Sequence, residues 1–220
     1  MKKPILVLSA IFLMATACKK AEETPTTDST TATDTTAVVA NETAEAAKPM
    51  DSAAMMKAWE AYATPGDAHK MLAMDNGTWD CESTMYMSAN DPKPTKTKMT
   101  GVYKMILGGR YQESRFTGNI MGQPFEGIST TGYNNASKQI ESTWVDNMGT
   151  GVMHLKGDYD GKSKTMELKG ECVDPMTGKT KPIRETFTVV DDNTRKMEMF
   201  DVDAAGKEFK SMELTMSRKK

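Results

Sequence analysis

Lys164-Thr165-Met166-Glu167-Leu168-Lys169-Gly170-Glu171-Cys172-Val173 alternates apolar and polar side chains with a period of two. Met166, Leu168 and Cys172 fall on one face, and Glu167, Lys169 and Glu171 on the other. Successive side chains of a strand point to opposite sides of the sheet, so this run reads as a strand with one buried and one wet face. The same reading extends outward in both directions. Met153, Leu155 and Tyr159 oppose His154, Lys156 and Asp158, and Met212, Leu214 and Met216 oppose Lys210, Glu213 and Ser217.

Turn residues punctuate the rest into strand-length pieces. The expected strands are Gly77–Met87, Thr97–Leu107, Arg110–Thr117, Pro124–Tyr133, Lys138–Asn147, Val152–Asp158, Lys164–Val173, Lys181–Val190, Arg195–Val202 and Lys207–Ser217. About ten strands joined by short hairpins predict an all-β fold, an antiparallel up-and-down barrel. A barrel of eight to ten strands is wide enough to hold a small ligand inside its wall. Ahead of it, Met55, Trp59 and Tyr62 recur at helical spacing behind an Asp51 or Ser52 cap, and Thr64-Pro65-Gly66 ends that helix. A second short helix is expected from Asp67 to Met74. The barrel domain with its one or two N-terminal helices therefore spans residues 51–220.

The remainder of the 220 residues reads as an address. Residues 1–17 carry Lys2 and Lys3, an apolar stretch from Ile5 to Met14, and then small residues, the pattern of an export signal. The stretch is too short to span a bilayer permanently. Ala15-Thr16-Ala17-Cys18 resembles a bacterial lipobox, which makes Cys18 the expected site of acylation and the lipid bilayer an expected partner. Lys19 follows Cys18 where an inner-membrane retention signal has Asp. The expected location is the outer membrane, lipid-anchored, facing the periplasm or the cell surface. Residues 19–50 hold nine Thr and seven Ala with no aromatic residue. Such a composition buries too little apolar surface to offset chain entropy, so residues 18–50 are expected to be a disordered tether.

A net charge of −2 gives no concentrated basic face, and no nucleic acid is expected as a partner. No P-loop, dinucleotide fingerprint or Gly-x-Ser-x-Gly elbow occurs. Two histidines and three cysteines without ligand spacing point to no metal or haem centre, so no cofactor is expected. The twenty methionines raise copper(I) as a thought. Methionine also fills irregular cores and lines adaptable pockets, and that reading is preferred.

An ordered series of short motifs carries a resemblance. Pro65-Gly66, His69-Lys70-x-Leu72 and Gly77-x-Trp79 are followed by Leu107-Gly108-Gly109-Arg110-Tyr111, Phe125-x-Gly127 and Gly132-Tyr133. Trp144-Val145-Asp146-x-Met148-Gly149-Thr150-Gly151 comes next, then Asp174-Pro175-x-Thr177-Gly178-Lys179 and a closing Gly206-Lys207-Glu208. The series resembles domain-of-unknown-function family 1579 from about residue 60 to the end. That family is similar to the calycins, the lipocalin and fatty-acid-binding-protein type of barrel. The resemblance implies a barrel and brings no catalytic residues, so no enzymatic activity is expected.

The candidate site is a set of residues expected to face inward. Trp79, Tyr103 and Trp144 would offer flat apolar contact to a small apolar or amphiphilic molecule. Asp146 shares the Trp144 face, Glu185 sits among Ile183, Phe187 and Val189, and Glu113 and Arg115 share a face with Tyr111, where Phe116 competes for the interior. Arg115, paired with Glu113 or Asp146, is the expected holder of a polar head group. An alternative is a barrel packed solid, serving a structural or surface-interaction role. Cys81 and Cys172 form an even pair in an oxidising compartment, a candidate disulfide. Oligomeric state is left open.

Overall fold

The computed structural model describes residues 51–220. The export signal, Cys18 and the tether lie outside the described residues. Two helices, α1 (Ser52–Ala63) and α2 (Asp67–Ala73), precede ten strands. The strands are β1 (Gly77–Met85), β2 (Thr95–Ile106), β3 (Tyr111–Ile120), β4 (Gln123–Asn134), β5 (Gln139–Asp146), β6 (Met153–Asp160), β7 (Thr165–Val173), β8 (Thr180–Asp191), β9 (Thr194–Val202) and β10 (Glu208–Arg218). Each pairs antiparallel with its sequence neighbours, and β1 closes the ring against β10. This is the up-and-down barrel expected from the alternation, and closure leaves no unpaired sheet edge.

The up-and-down course gives the barrel two distinct ends. One carries the turns after β2, β4, β6 and β8 together with α2. The other carries those after β1, β3, β5, β7 and β9. At the β3–β4 turn the two residues between the strands, Met121 and Gly122, have φ of 52° and 85°. Positive φ at both central residues matches the right-handed twist of the flanking strands, and glycine takes one of the two without a Cβ penalty.

The α2 end is sealed by a polar plug built on the Trp79 ring. Trp79 is fully buried and donates from Nε1 to the Asp75 carbonyl oxygen at 2.8 Å. The guanidinium groups of Arg195 and Arg218 lie over its ring, 5.0 and 4.3 Å from the centroid. Arg195 is 1% exposed and donates from Nε to Asp75 Oδ1 at 2.7 Å and from Nη1 to the Thr194 carbonyl at 2.9 Å. Arg218 donates to the carbonyls of Asn76 and Met74, both at 2.7 Å. Gln112 Nε2 reaches the Leu72 carbonyl at 2.6 Å. These donors tie down the Leu72 carbonyl in the last turn of α2 and the carbonyls of Met74, Asp75 and Asn76 just after it. Burial pushes the Asp75 carboxyl above its ordinary value, while the Arg195 guanidinium pulls it back down.

Helix α1 behaves differently from its amphipathic pattern. Asp51 caps it as expected, its Oδ1 accepting from the Ala54 N–H at 2.7 Å. Its apolar stripe, however, packs against no part of the barrel: none of its residues is buried, and Trp59 and Tyr62 stack edge-to-face on each other in solvent. What fixes its C-terminus is Asn135 Nδ2, which donates to the carbonyls of Ala61, Tyr62 and Thr64.

Candidate binding cavity

Inside the barrel lies a cavity of about 480 Å³. Its size falls within the range of small-molecule sites, roughly 300–1,000 Å³. Each wall strand contributes its inward phase: Met99 and Tyr103 from β2, Phe116 and Ile120 from β3, Met166 and Leu168 from β7, Met197 and Met199 from β9. Ten of the lining residues are methionines. Their unbranched thioethers repack at low cost, so the wall can adapt its shape to an occupant. Met121 and Met148 belong both to the cavity lining and to the exposed loops after β3 and β5. Their double exposure places the mouth at the end opposite α2.

Aromatic rings form one continuous side of the chamber. Tyr103 meets Phe116 edge-on at 5.7 Å, Phe116 tilts against Trp144 at 5.7 Å, and Trp144 stacks on Phe125 at 6.4 Å. Trp144 lies flat across β4 because Gly127 leaves it room: a Cβ there would fall 2.4 Å from two atoms of the indole. Polar groups in the wall mostly satisfy one another. Tyr103 donates its hydroxyl to Met216 Sδ at 3.2 Å, and burial raises its pKa well above the ordinary tyrosine value. Ser129, Thr131 and Ser142 form a triangle of hydroxyls 3.0–3.4 Å apart. Asp146 accepts from Trp144 Nε1 at 2.7 Å and from the Met148 N–H at 2.9 Å.

The exceptions are the Ser83 hydroxyl, buried without a partner, and Glu185. Glu185 lies on the inward phase of β8, with Leu168 and Met199 as its cross-strand neighbours. Among the described residues its carboxyl has no hydrogen-bond or ionic partner, and desolvation alone pushes its pKa from 4.5 up to about 7. Its side chain belongs to the cavity lining.

The structure brings together Tyr103, Trp144, Asp146 and Glu185 on the cavity wall and leaves the other expected residues elsewhere. Trp79 belongs to the plug and does not line the chamber. Glu113 and Arg115 are corrections: both stand on the outer face of β3, Glu113 with Lys104 at 2.9 Å and Arg115 with Glu126. The competition within β3 goes to Gln112, Ser114, Phe116 and Ile120, all buried. A strand has two phases only, and an aromatic ring with a β-branched side chain gains more from burial than Tyr111 with two charges. The phase of Phe116 and Ile120 was the signal available in the sequence. The Arg195–Asp75 pair had none, because its two members are 120 residues apart and meet only in the closed barrel.

The cysteine pair is a second correction. Cys81 and Cys172 are both free thiols. Both face inward as expected, but Cys81 lies midway along β1, while Cys172 sits at the mouth end of β7, three strands from β1's neighbour β10. Burial pushes the Cys81 thiol up to about 12, and Cys172 is raised less, also by burial. His69 caps α2 from a buried position. Its Nδ1 accepts the Gly66 N–H at 3.0 Å, and desolvation lowers its pKa. His154 is on the outer face of β6, as its strand phase predicts. Among the described residues no three His, Cys, Asp or Glu side chains gather as a metal-binding group.

The family described as "Protein of unknown function (DUF1579)" matches residues 64–218. Among solved structures, the chain is similar to the crystal structure of Rv2717c from M. tuberculosis. That likeness has a TM-score of 0.55 at 11% identity and covers 71% of this chain and 100% of that one. It shows a shared fold and nothing more. A redesigned beta barrel is also similar, with a TM-score of 0.37 at 10% identity, covering 68% of this chain and 96% of that one. No curated protein matches the chain.

Proposed function

Given that the chain belongs to the DUF1579 family of proteins of unknown function, we propose from its own geometry that the barrel binds a small apolar or amphiphilic molecule in its interior, without turning it over. The observation that carries this reading is the unfilled chamber of about 480 Å³, walled by thioethers and aromatic rings and reached through the mouth at Met121 and Met148. A barrel serving only as a packed scaffold would fill that volume with side chains, since interiors are close-packed and each void forfeits contacts. The slender methionines of the wall instead leave it open. The proposal is of a calycin-like binding barrel. The reading includes an anchor: acylated Cys18 holds the barrel to the outer membrane through residues 19–50.

The test uses the Cys18→Ser chain in detergent-free buffer with the neutral fluorescent probe N-phenyl-1-naphthylamine. The expected result is a saturable rise in emission, weakened roughly tenfold by Trp144→Ala, which is about 1.4 kcal/mol of lost contact, with the barrel still folded. Absence of binding by the parent chain, together with a loss of about 3–5 kcal/mol of stability in Trp144→Ala, identifies a packed core and overturns the reading.

A further inference from the structure

The chamber is apolar but not neutral in what it offers. Charged groups facing the interior from the surrounding elements are mostly neutralised locally. At the sealed end Arg195 of β9 is paired with Asp75 after α2, and Arg195 does not line the cavity. Toward the mouth, Lys181 on the same phase of β8 is paired with Asp201 of β9 at 2.5 Å. Asp146 of β5 is held by Trp144 and Met148. The inward residues of β7 and β10 nearest Glu185 are Met166, Leu168, Met212, Leu214 and Met216, none of them charged. Tyr103 of β2 has its proton engaged with Met216. Among the described residues that line the cavity there is no lysine, arginine or histidine. Among the described residues Glu185 is left as the ionisable group facing the chamber without a partner, beside the neutral Ser83 hydroxyl, which also has none.

A buried acid without a partner is costly, and the cost is removed by whatever completes its hydrogen bonding. Resting on the binding reading above, we propose that the cavity selects amphiphiles whose head group donates hydrogen bonds, a protonated alkylamine before an alkanol, with the Glu185 carboxylate as acceptor, and that it rejects carboxylate-headed amphiphiles. An ammonium head inside the chamber meets an acceptor whose two oxygens are free. A carboxylate head meets a like charge and no cation. This inverts the preference that an inward Arg115 would have conferred, because Arg115 is outside the wall.

The acid–base behaviour follows from the same geometry. A cation that draws the Glu185 pKa down by one unit binds the ionised form about tenfold more tightly than the protonated one. Glu185 loses its proton on passing through about pH 7, where an alkylamine keeps its own. Amine affinity therefore rises with pH from 6 to 8, carboxylate affinity falls, and alkanol affinity changes little.

The experiment displaces N-phenyl-1-naphthylamine from the Cys18→Ser chain with dodecylamine, dodecanol and dodecanoate, each below its micellar concentration. At pH 8 dodecylamine is expected to displace the probe at a concentration about tenfold or more below that of dodecanoate. In Glu185→Gln the two are expected to differ by less than about threefold while the probe itself still binds, the amide having no charge to discriminate with. The variant removes a buried ionisable group and so keeps the fold, which a thermal melt at pH 8 verifies. Equal displacement by dodecanoate and dodecylamine, or an unchanged ratio in Glu185→Gln, overturns the head-group assignment while leaving interior binding intact. Failure of the neutral probe to bind at all overturns both.

Discussion

Replacing Glu185 by Gln should stabilise the protein, and by an amount that depends on pH in a fixed direction. Its carboxyl titrates at about 7 in the folded barrel against 4.5 ordinarily. The difference of about 2.5 units, at about 1.36 kcal/mol per unit, amounts to roughly 3 kcal/mol. The folded-state pKa is raised, so the stability associated with the protonated acid is complete below about pH 4.5 and is lost as pH rises through about 7. Above that range the folded state carries the whole desolvation cost of an ionised carboxylate facing Leu168, Met199 and the cavity. Glutamine has the same shape and no titration. Urea unfolding of both proteins, followed by tryptophan fluorescence from pH 4 to 9, subtracts every other titrating group, because all are common to the pair. The variant's advantage should grow by about 3 kcal/mol between the acid and alkaline limits, which corresponds to roughly 6–12 °C in melting temperature for a domain of this size. A stability difference that stays constant with pH, or shrinks as pH rises, would refute the inward, unpartnered placement of Glu185 on which the argument stands.

Asp75→Ala should cost about 3–5 kcal/mol, since it strands the buried Arg195 guanidinium without its counter-charge; chemical denaturation measures this, and a loss below about 1 kcal/mol would show that the plug is held otherwise. In the denatured, unreduced chain both Cys81 and Cys172 should react with a thiol reagent. In the native protein Cys172 should react first, because Cys81 is buried with its thiol pushed up to about 12; a missing pair of thiols after denaturation would restore the disulfide. Growth of the producing bacterium with an alkyne-bearing fatty acid should label the full chain and fail to label Cys18→Ser; equal labelling of the two would remove the lipid anchor.

The expected and observed strands agree to within a few residues at nearly every end, and the reason is physical. A half-buried strand must alternate, a hairpin must carry turn residues, and both rules act on neighbours a few residues apart. Met166-x-Leu168 and Met212-x-Leu214-x-Met216 therefore announce their inward phase without any knowledge of their partners. Alternation fails where a strand has apolar residues in both phases. In β3, Tyr111 and Phe116 lie in opposite phases, and it takes Ile120 in the phase of Phe116, weighed against Glu113 and Arg115 in that of Tyr111, to decide that Phe116 turns inward and the two charges outward.

What local sequence determined here is the number of strands, their order as a meander and the inward phase of most of them, together with Trp144, Asp146, Tyr103 and Glu185 as inward residues. What the tertiary structure alone decided is how those inward residues divide between filler, plug and chamber. Trp79 and Trp144 look alike as ring-bearing residues of alternating strands. One is capped by Arg195, Arg218 and α2 and disappears into the plug, and the other lies over Gly127 and faces open space. The isolation of Glu185 is likewise a property of closure, because it depends on what β2, β7, β9 and β10 place opposite it. Strand phase is a local quantity set by steric alternation of the backbone. Volume, and the presence or absence of a partner for a buried charge, are sums over residues a hundred or more positions apart that come together only when β1 meets β10.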